Sequence, residues 1–284
     1  MQRISYCNGH FLPHQHANIV HIEDRGYQFA DGVYEVMHVH HGVLVDLAPH
    51  LDRLDYSLGE LGISYPCSSR RALESLMYEV IRRNRLEYGS IYVQVSRGVS
   101  KREFYFPKKP VTPSLVITAQ RMQPFNPALL QQGIKIVTLK DARWKRCDIK
   151  SIALLAPVLA KQHAAQRGAY ETWQVDEEGY ITEGASTNAW IVKGKTLQTT
   201  PATHSILNGI TRQRLMVLAK DMGLKILEKR FTEADILKAD EAFLSSTTTY
   251  LLPLSSLNGK AVKRGTIALA LREKYAEYCA RATR

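Results

Sequence analysis

Val33 to His40 reads VYEVMHVH, with apolar and polar residues largely alternating, which is the period-two pattern of a half-buried strand. Turn signals at Asn8-Gly9, Asp31-Gly32 and His41-Gly42 cut the first forty-five residues into short pieces of this kind, predicting antiparallel strands. The period then changes. Leu51, Leu54, Leu58 and Leu61 recur at intervals of three and four, and so do Leu73, Leu76, Met77, Val80 and Ile81 after the capping candidates Ser68 and Ser69. Two amphipathic helices are expected there. Alternation returns in IYVQVSR (91–97) and SLVITA (114–119), separated by a loop holding Pro107, Pro110 and Pro113, a candidate lid.

Pro124 and Pro127 interrupt the stretch QRMQPFNPALLQQG (120–133), where a domain boundary is expected. This reading gives a small α+β domain over residues 1–120, a linker over 121–133 and a larger α/β or α+β domain over 134–284. In the larger domain KIVTL (135–139), AWIVKG (189–194) and EAFLSS (241–246) predict strands, and helices are expected at about 152–167, 211–223 and 268–281. The apolar run LLAPVLA (154–160) is expected to bury one side of the first of these helices against the core.

With 45% apolar and 23% charged residues over 284 positions, the chain has the balance of a soluble globular protein. Its 38 Lys and Arg against 27 Asp and Glu give a net charge of +11, which raises the question of nucleic acid. The basic residues are dispersed and no recognition module accompanies them, so a solvated basic surface or attraction for acidic small molecules is expected, with no nucleic-acid partner. No apolar window approaches eighteen residues and the first thirteen lack a secretory pattern, so a cytoplasmic protein without a membrane partner is expected. Cys7, Cys67, Cys147 and Cys279 form no C-x-x-C pair. Eight of the ten histidines fall in the first fifty residues, and His38 and His40 share a strand face, yet no acidic or cysteine partner is spaced to complete a metal site. No metal is expected.

Several local constellations can carry chemistry. Lys150, between an extended segment and the apolar run, is either a lysine snorkelling to water or a partly desolvated amine able to attack a carbonyl. In ITEGASTNAW (181–190), Glu183 either belongs to a polar loop in which Asn188 caps a turn or faces a cationic ring nitrogen. LNGITR (207–212) opens a helix at Gly209, Ile210 and Thr211, an ordinary start or a phosphate site. Ser245 to Thr249 (SSTTT) place five hydroxyls in a row, a polar strand end or part of an anion cradle, and Arg53 in HLDRL offers a surface ion pair or a buried phosphate partner.

Taken in order, GYQFADGVYEV (26–36), HLDRL (50–54), RWKRCDIKS (143–151), TEGASTNAW (182–190), ILNGITR (206–212) and FLSSTTTYLLP (243–253) closely resemble the class IV aminotransferases, and most closely the members acting on D-amino acids. The resemblance implies a two-domain fold-type IV enzyme with a small N-terminal α+β domain and a larger C-terminal domain of mainly β core and flanking helices. It implies pyridoxal 5'-phosphate as cofactor and ping-pong transfer between a D-amino acid, such as D-alanine or D-glutamate, and a 2-keto acid, such as 2-oxoglutarate or pyruvate. By the same resemblance Lys150 forms the Schiff base, Glu183 pairs with the pyridine nitrogen, and Arg53, Ile210, Thr211 and Thr247 hold the phosphate. Leu207 packs on the ring, while Tyr34, Arg102 and Thr248 lie on the substrate side. Where the D-specific members place a carboxylate-binding histidine two residues after the arginine, this chain has Phe104, which has no donor. That departure keeps branched-chain L-aminotransferase, (R)-amine transaminase and aminodeoxychorismate lyase as alternatives. A homodimer is also implied.

Overall fold

The alternating stretch beginning near Val33 becomes an interior strand, paired along its whole length on one side and over its last two residues on the other. In the computed structural model, which describes residues 2–123 and 125–281, the chain forms two compact units. The first comprises Met1–Pro124, Ile149–Ala153 and Cys279–Arg284, and the second Phe125–Asp148 and Leu154–Tyr278.

The first unit contains β1 (Ile4–Cys7), β2 (His10–Pro13), α1 (Arg25–Phe29), β3 (Gly32–His40), β4 (Val43–Leu44), α2 (Leu47–Leu61), α3 (Arg70–Asn84), β5 (Tyr88–Ser96) and β6 (Ser114–Arg121). Its six strands form an antiparallel sheet in the order β2-β1-β6-β5-β3-β4. β3 pairs with β5 along its whole length, from Gly32 opposite Ser96 to His40 opposite Tyr88. Val33, Met37 and Val39 share one face of β3 and are buried with Leu51, Leu54 and Leu58 of α2 and Leu73, Met77 and Val80 of α3. Each buried leucine of this kind stabilises by about 1.5–3 kcal/mol, so the two leucine repeats dock both helices. The Ser69 hydroxyl accepts from the Ala72 amide at 3.2 Å and caps α3.

Ile149–Ala153 extends this unit. The Tyr34 amide donates to the Lys150 carbonyl and the Ile152 amide to the Gly32 carbonyl, both at 3.0 Å. Only glycine fits at position 32, since a Cβ there would lie 2.7 Å from the Val95 carbonyl oxygen and 2.9 Å from Ile152 Cδ1. With Ile152 committed to this pairing, the helix expected from residue 152 starts at Leu155.

The second unit contains α4 (Ala128–Gln131), β7 (Ile134–Lys140), α5 (Leu155–Gln166), β8 (Glu171–Val175), β9 (Ile181–Gly184), β10 (Asn188–Lys193), β11 (Thr196–Thr199), α6 (Ile210–Asp221), β12 (Lys225–Glu228), α7 (Glu233–Lys238), β13 (Glu241–Ser246), β14 (Tyr250–Leu257), β15 (Lys260–Ala261) and α8 (Ile267–Arg281). Nine strands make a mixed sheet in the order β12-β11-β10-β13-β14-β7-β8-β9, with β15 on β14. Its core gathers Trp173, Phe231, Leu244, Leu252 and Leu254. One expectation is reversed here. α5 buries Ala160 and Ala164, and the Thr172 hydroxyl donates to the Ala160 carbonyl at 2.7 Å, whereas Leu155, Val158 and Leu159 are 73%, 58% and 59% exposed. Small side chains let the helix approach β8 closely, so the large ones turn outward.

Candidate active site

Pairing with β3 fixes the backbone of Lys150 on one side, and its amide donates to the Ser57 hydroxyl of α2 at 3.2 Å on the other. The side chain lies over an aromatic ring, with Nζ 4.3 Å from the centroid of Tyr34. Tyr34 in turn lies 5.6 Å from Tyr92, whose hydroxyl donates to Gln94 Oε1 at 2.6 Å. Burial, with Tyr34 adding to it, pushes the Tyr92 phenol up to about 12.

Arg53 lies beneath the other face of β3. Its Nε donates to Glu35 Oε1 at 2.7 Å and its Nη2 to Glu35 Oε2 at 2.8 Å, and His50 Nδ1 lies 2.8 Å from Oε2. Glu35 is fully buried, so the arginine is in a buried cluster and not in the surface ion pair that was one of its two expected settings. Burial alone would raise the Glu35 carboxyl, but the charge and hydrogen bonds of Arg53 and His50 outweigh it and hold the group well below the usual carboxylate range. Burial pulls the His50 imidazole down against the pull of Glu35, and Arg53 and Lys150 push the same way as burial. The sequence reading missed Glu35. Its one signal is an acid at a core-facing position of the β3 alternation.

In the second unit Glu183 on β9 is buried, and three groups orient its oxygens. The Leu207 amide donates to Oε1 at 3.0 Å, Asn188 Nδ2 donates to Oε2 at 3.0 Å, and Arg143 Nη1 also donates to Oε1. Asn188 Nδ2 donates a second bond to the Leu207 carbonyl at 3.0 Å, so this residue joins β9, β10 and the segment before α6 instead of capping a turn. Arg143 also reaches Asp141, with Nη2 to Oδ2 at 2.7 Å, so two acidic side chains share one guanidinium. Burial opposes the charge on Arg143, but Glu183 and Asp141 overcome it and raise its pKa.

α6 begins at Ile210 with Gly209 as its N-cap and no side-chain cap. Ile210 and Thr211 are buried, and a Cβ on Gly209 would collide with Asn188 Oδ1. Glycine therefore lets the start of the helix close on the Glu183 cluster.

The hydroxyl run divides. Trp190 Nε1 donates to the buried Ser245 hydroxyl at 2.9 Å, and the Ser246 and Thr249 hydroxyls lie 2.7 Å apart, leaving Thr247 half-buried and Thr248 exposed in the turn. In the first unit Arg102 and Phe104 meet on one ring: Arg102 Cζ lies 4.9 Å and the Phe104 centroid 5.6 Å from Phe29. The structure thus brings Lys150 together with Tyr34, Arg102 with Phe104, and Glu183 with Leu207. Among the described residues no group of three or more His, Cys, Asp or Glu could hold a metal ion, and no helix is long and apolar enough to cross a membrane.

A family model, amino-transferase class IV, matches residues 32–257. The chain is 40% identical over 247 residues to a D-alanine aminotransferase of Bacillus licheniformis, covering 87% of this chain and 86% of that one. It is 38% identical to a D-alanine aminotransferase of Listeria monocytogenes serotype 4b (strain F2365), covering 95% and 94%. Among solved structures, a branched-chain amino acid aminotransferase of T.th. with pyridoxamine 5'-phosphate superposes with a TM-score of 0.91 at 25% identity, covering 99% of this chain and 95% of that one.

Proposed function

This chain belongs to the class IV aminotransferases, fold-type IV enzymes that use pyridoxal 5'-phosphate, and we propose that it transfers the amino group of a D-amino acid, such as D-alanine or D-glutamate, to 2-oxoglutarate or pyruvate. The observation that carries the D-amino acid reading is its 40% and 38% identity to D-alanine aminotransferases over most of both chains, against 25% for the branched-chain enzyme.

The side chains present fit the cofactor. Lys150 offers a primary amine for its aldehyde, Glu183 an oriented carboxylate for its ring nitrogen, and the uncapped start of α6 offers backbone donors for its phosphate. Ile210 and Thr211 supply those donors, with Arg53 and the Thr247 hydroxyl as further phosphate partners and Leu207 as the apolar contact with the ring. When bound, pyridoxal phosphate supplies the carbonyl that takes up the amino group and the ring that stabilises negative charge at the substrate α-carbon.

Lys150 does the proton work. With the cofactor bound, its Nζ would take the proton from the substrate α-carbon and pass it to the former aldehyde carbon, and in the second half of the cycle it would carry a proton back the other way to the α-carbon of the incoming keto acid. The Tyr34 ring, 4.3 Å from that nitrogen, limits where it can go. Glu183 holds a proton on the pyridine nitrogen, and Arg143, Asn188 and the Leu207 amide keep its two oxygens in place. Arg102 binds the substrate carboxylate beside Phe104, which contributes area and no hydrogen bond. Tyr34 and Thr248 complete the substrate side.

We place the enzyme in the cytoplasm, where its four free cysteines stay reduced, and assign it a homodimeric state supported by the exposed Leu155, Val158 and Leu159 on α5. Leu159→Asp should sediment as a monomer, and an unchanged dimer would remove that face from the interface.

A coupled assay tests the donor. D-alanine with 2-oxoglutarate should yield pyruvate and glutamate, with L-leucine much slower. A preference for L-leucine would assign the branched-chain activity instead.

A further inference from the structure

Two arginines outside the proposed chemistry are buried near the loop that carries Arg102. Arg25, at the start of α1, donates through Nε to Asp31 Oδ2 at 2.8 Å. Arg97, at the end of β5, donates to the same carboxylate through Nε to Oδ2 at 2.8 Å and through Nη2 to Oδ1 at 3.0 Å. One carboxylate serves two guanidinium groups, so their other donors turn to backbone carbonyls. Arg97 holds Gly62 at 2.8 Å and Leu61 at 2.6 Å, at the end of α2. Arg25 Nη1 holds the Glu103 carbonyl at 2.7 Å and the Tyr105 carbonyl at 3.4 Å.

These last two bonds lie on either side of Phe104. Residues 101–113 contain no helix or strand, and Phe104 and Tyr105 are each 84% exposed, so burial of these side chains does little to hold the segment. Its entry is tied down by the Arg25 amide donating to the Gly98 carbonyl at 2.9 Å and the Ser100 amide to the Glu23 carbonyl at 3.2 Å. Further on, the Phe106 ring lies 3.7 Å from the Arg97 guanidinium carbon. Between these two anchors the Arg25 guanidinium grips the backbone. Its carbon also lies 4.7 Å from the Phe29 centroid, on the same ring that Arg102 approaches to 4.9 Å.

We propose that Arg25 is a positioning residue for substrate recognition: by clamping the Glu103 and Tyr105 carbonyls and backing the Phe29 ring, it sets where the Arg102 guanidinium stands. This rests on the reading of Arg102 as the carboxylate-binding group. Asp31 keeps Arg97 as a partner when Arg25 is replaced, so the loop, more than the underlying fold, loses its order. A lysine at position 25 keeps the charge for Asp31 but lacks the planar fork that spans two carbonyls.

The test is a double-mutant cycle on the holoenzyme with D-alanine as the varied substrate. Arg25→Met should raise KM about tenfold with kcat within about threefold of the parent, and Arg25→Lys should fall between them. Combined with Arg102→Ala it should add little to the effect of Arg102→Ala alone, because both remove the same interaction. A merely structural role would instead lower kcat, melting temperature and bound-cofactor absorption together. If Arg102→Ala raises KM and Arg25→Met does not, or if the two effects simply multiply, the positioning role is wrong while the Arg102 reading stands. If Arg102→Ala leaves KM unchanged, both fall. Should Arg25→Met fail to fold, Arg25→Lys is judged by the same criteria.

Discussion

Replacing Gly209 by alanine tests how the Glu183 cluster is built. The backbone at Gly209 has φ −59° and ψ 136°, which alanine adopts without strain, so any cost must come from the added methyl group. That group would overlap Asn188 Oδ1, and Asn188 cannot retreat along the chain because its backbone pairs with Ser245 in β13. The amide must rotate, giving up its 3.0 Å bonds to Glu183 Oε2 and the Leu207 carbonyl. A bond to a charged group is worth about 1.5–3 kcal/mol and a neutral one about 1 kcal/mol, so Gly209→Ala should cost about 3 kcal/mol. At about 2–4 °C per kcal/mol for a large domain, the melting temperature should fall by about 6–12 °C. Titration of apo-protein with pyridoxal phosphate, followed by absorbance, should show affinity about tenfold weaker, since the displaced contacts orient Glu183. Gly59→Ala is the control. Gly59 is an exposed position in α2 with nothing within 4 Å of an added Cβ, and alanine there should stabilise by up to about 1 kcal/mol. Equal melting temperatures and cofactor affinities for Gly209→Ala and the parent would refute the reasoning.

Glu35→Gln leaves the Arg53 guanidinium buried without its carboxylate, so stability should drop by about 3–5 kcal/mol, read as a lower urea midpoint at unchanged slope. A change below about 1 kcal/mol would mean that water reaches Arg53. His38 supplies a pH signature. Burial, helped by neighbouring His40, pulls its imidazole from 6.5 down to about 4, so between these values the unfolded chain holds a proton that the native one does not. Its contribution is present above pH 6.5 and is lost as the pH falls toward 4, with a slope of up to about 1.4 kcal/mol per pH unit. Urea melts at pH 7, 6 and 5 should show His38→Gln losing less stability than the parent, and parallel curves would contradict this.

Periodicity was enough to locate the main helices and the long strands, because leucines at three and four and alternation at two report directly on which face is buried. Fold type and family were legible through ordered motifs such as TEGASTNAW and ILNGITR. Pairwise geometry was not. Nothing in the spacing of Glu35 shows that it meets His50 and Arg53, which come from a different element, and Asn188 looks like a turn residue until Leu207 is brought beside it. The five hydroxyls of SSTTT read alike in sequence, yet Trp190 takes Ser245, and Ser246 bonds to Thr249. The outward-facing Leu155, Val158 and Leu159 follow from the alanines that α5 needs on its packed side, a choice that composition alone leaves open.

The central claim is that Lys150 carries both the cofactor and the proton. Purified Lys150→Ala, incubated with pyridoxal phosphate and desalted, is predicted to lack the visible absorption of covalently held cofactor and to lose nearly all turnover of D-alanine with 2-oxoglutarate. A variant that kept both would contradict the account.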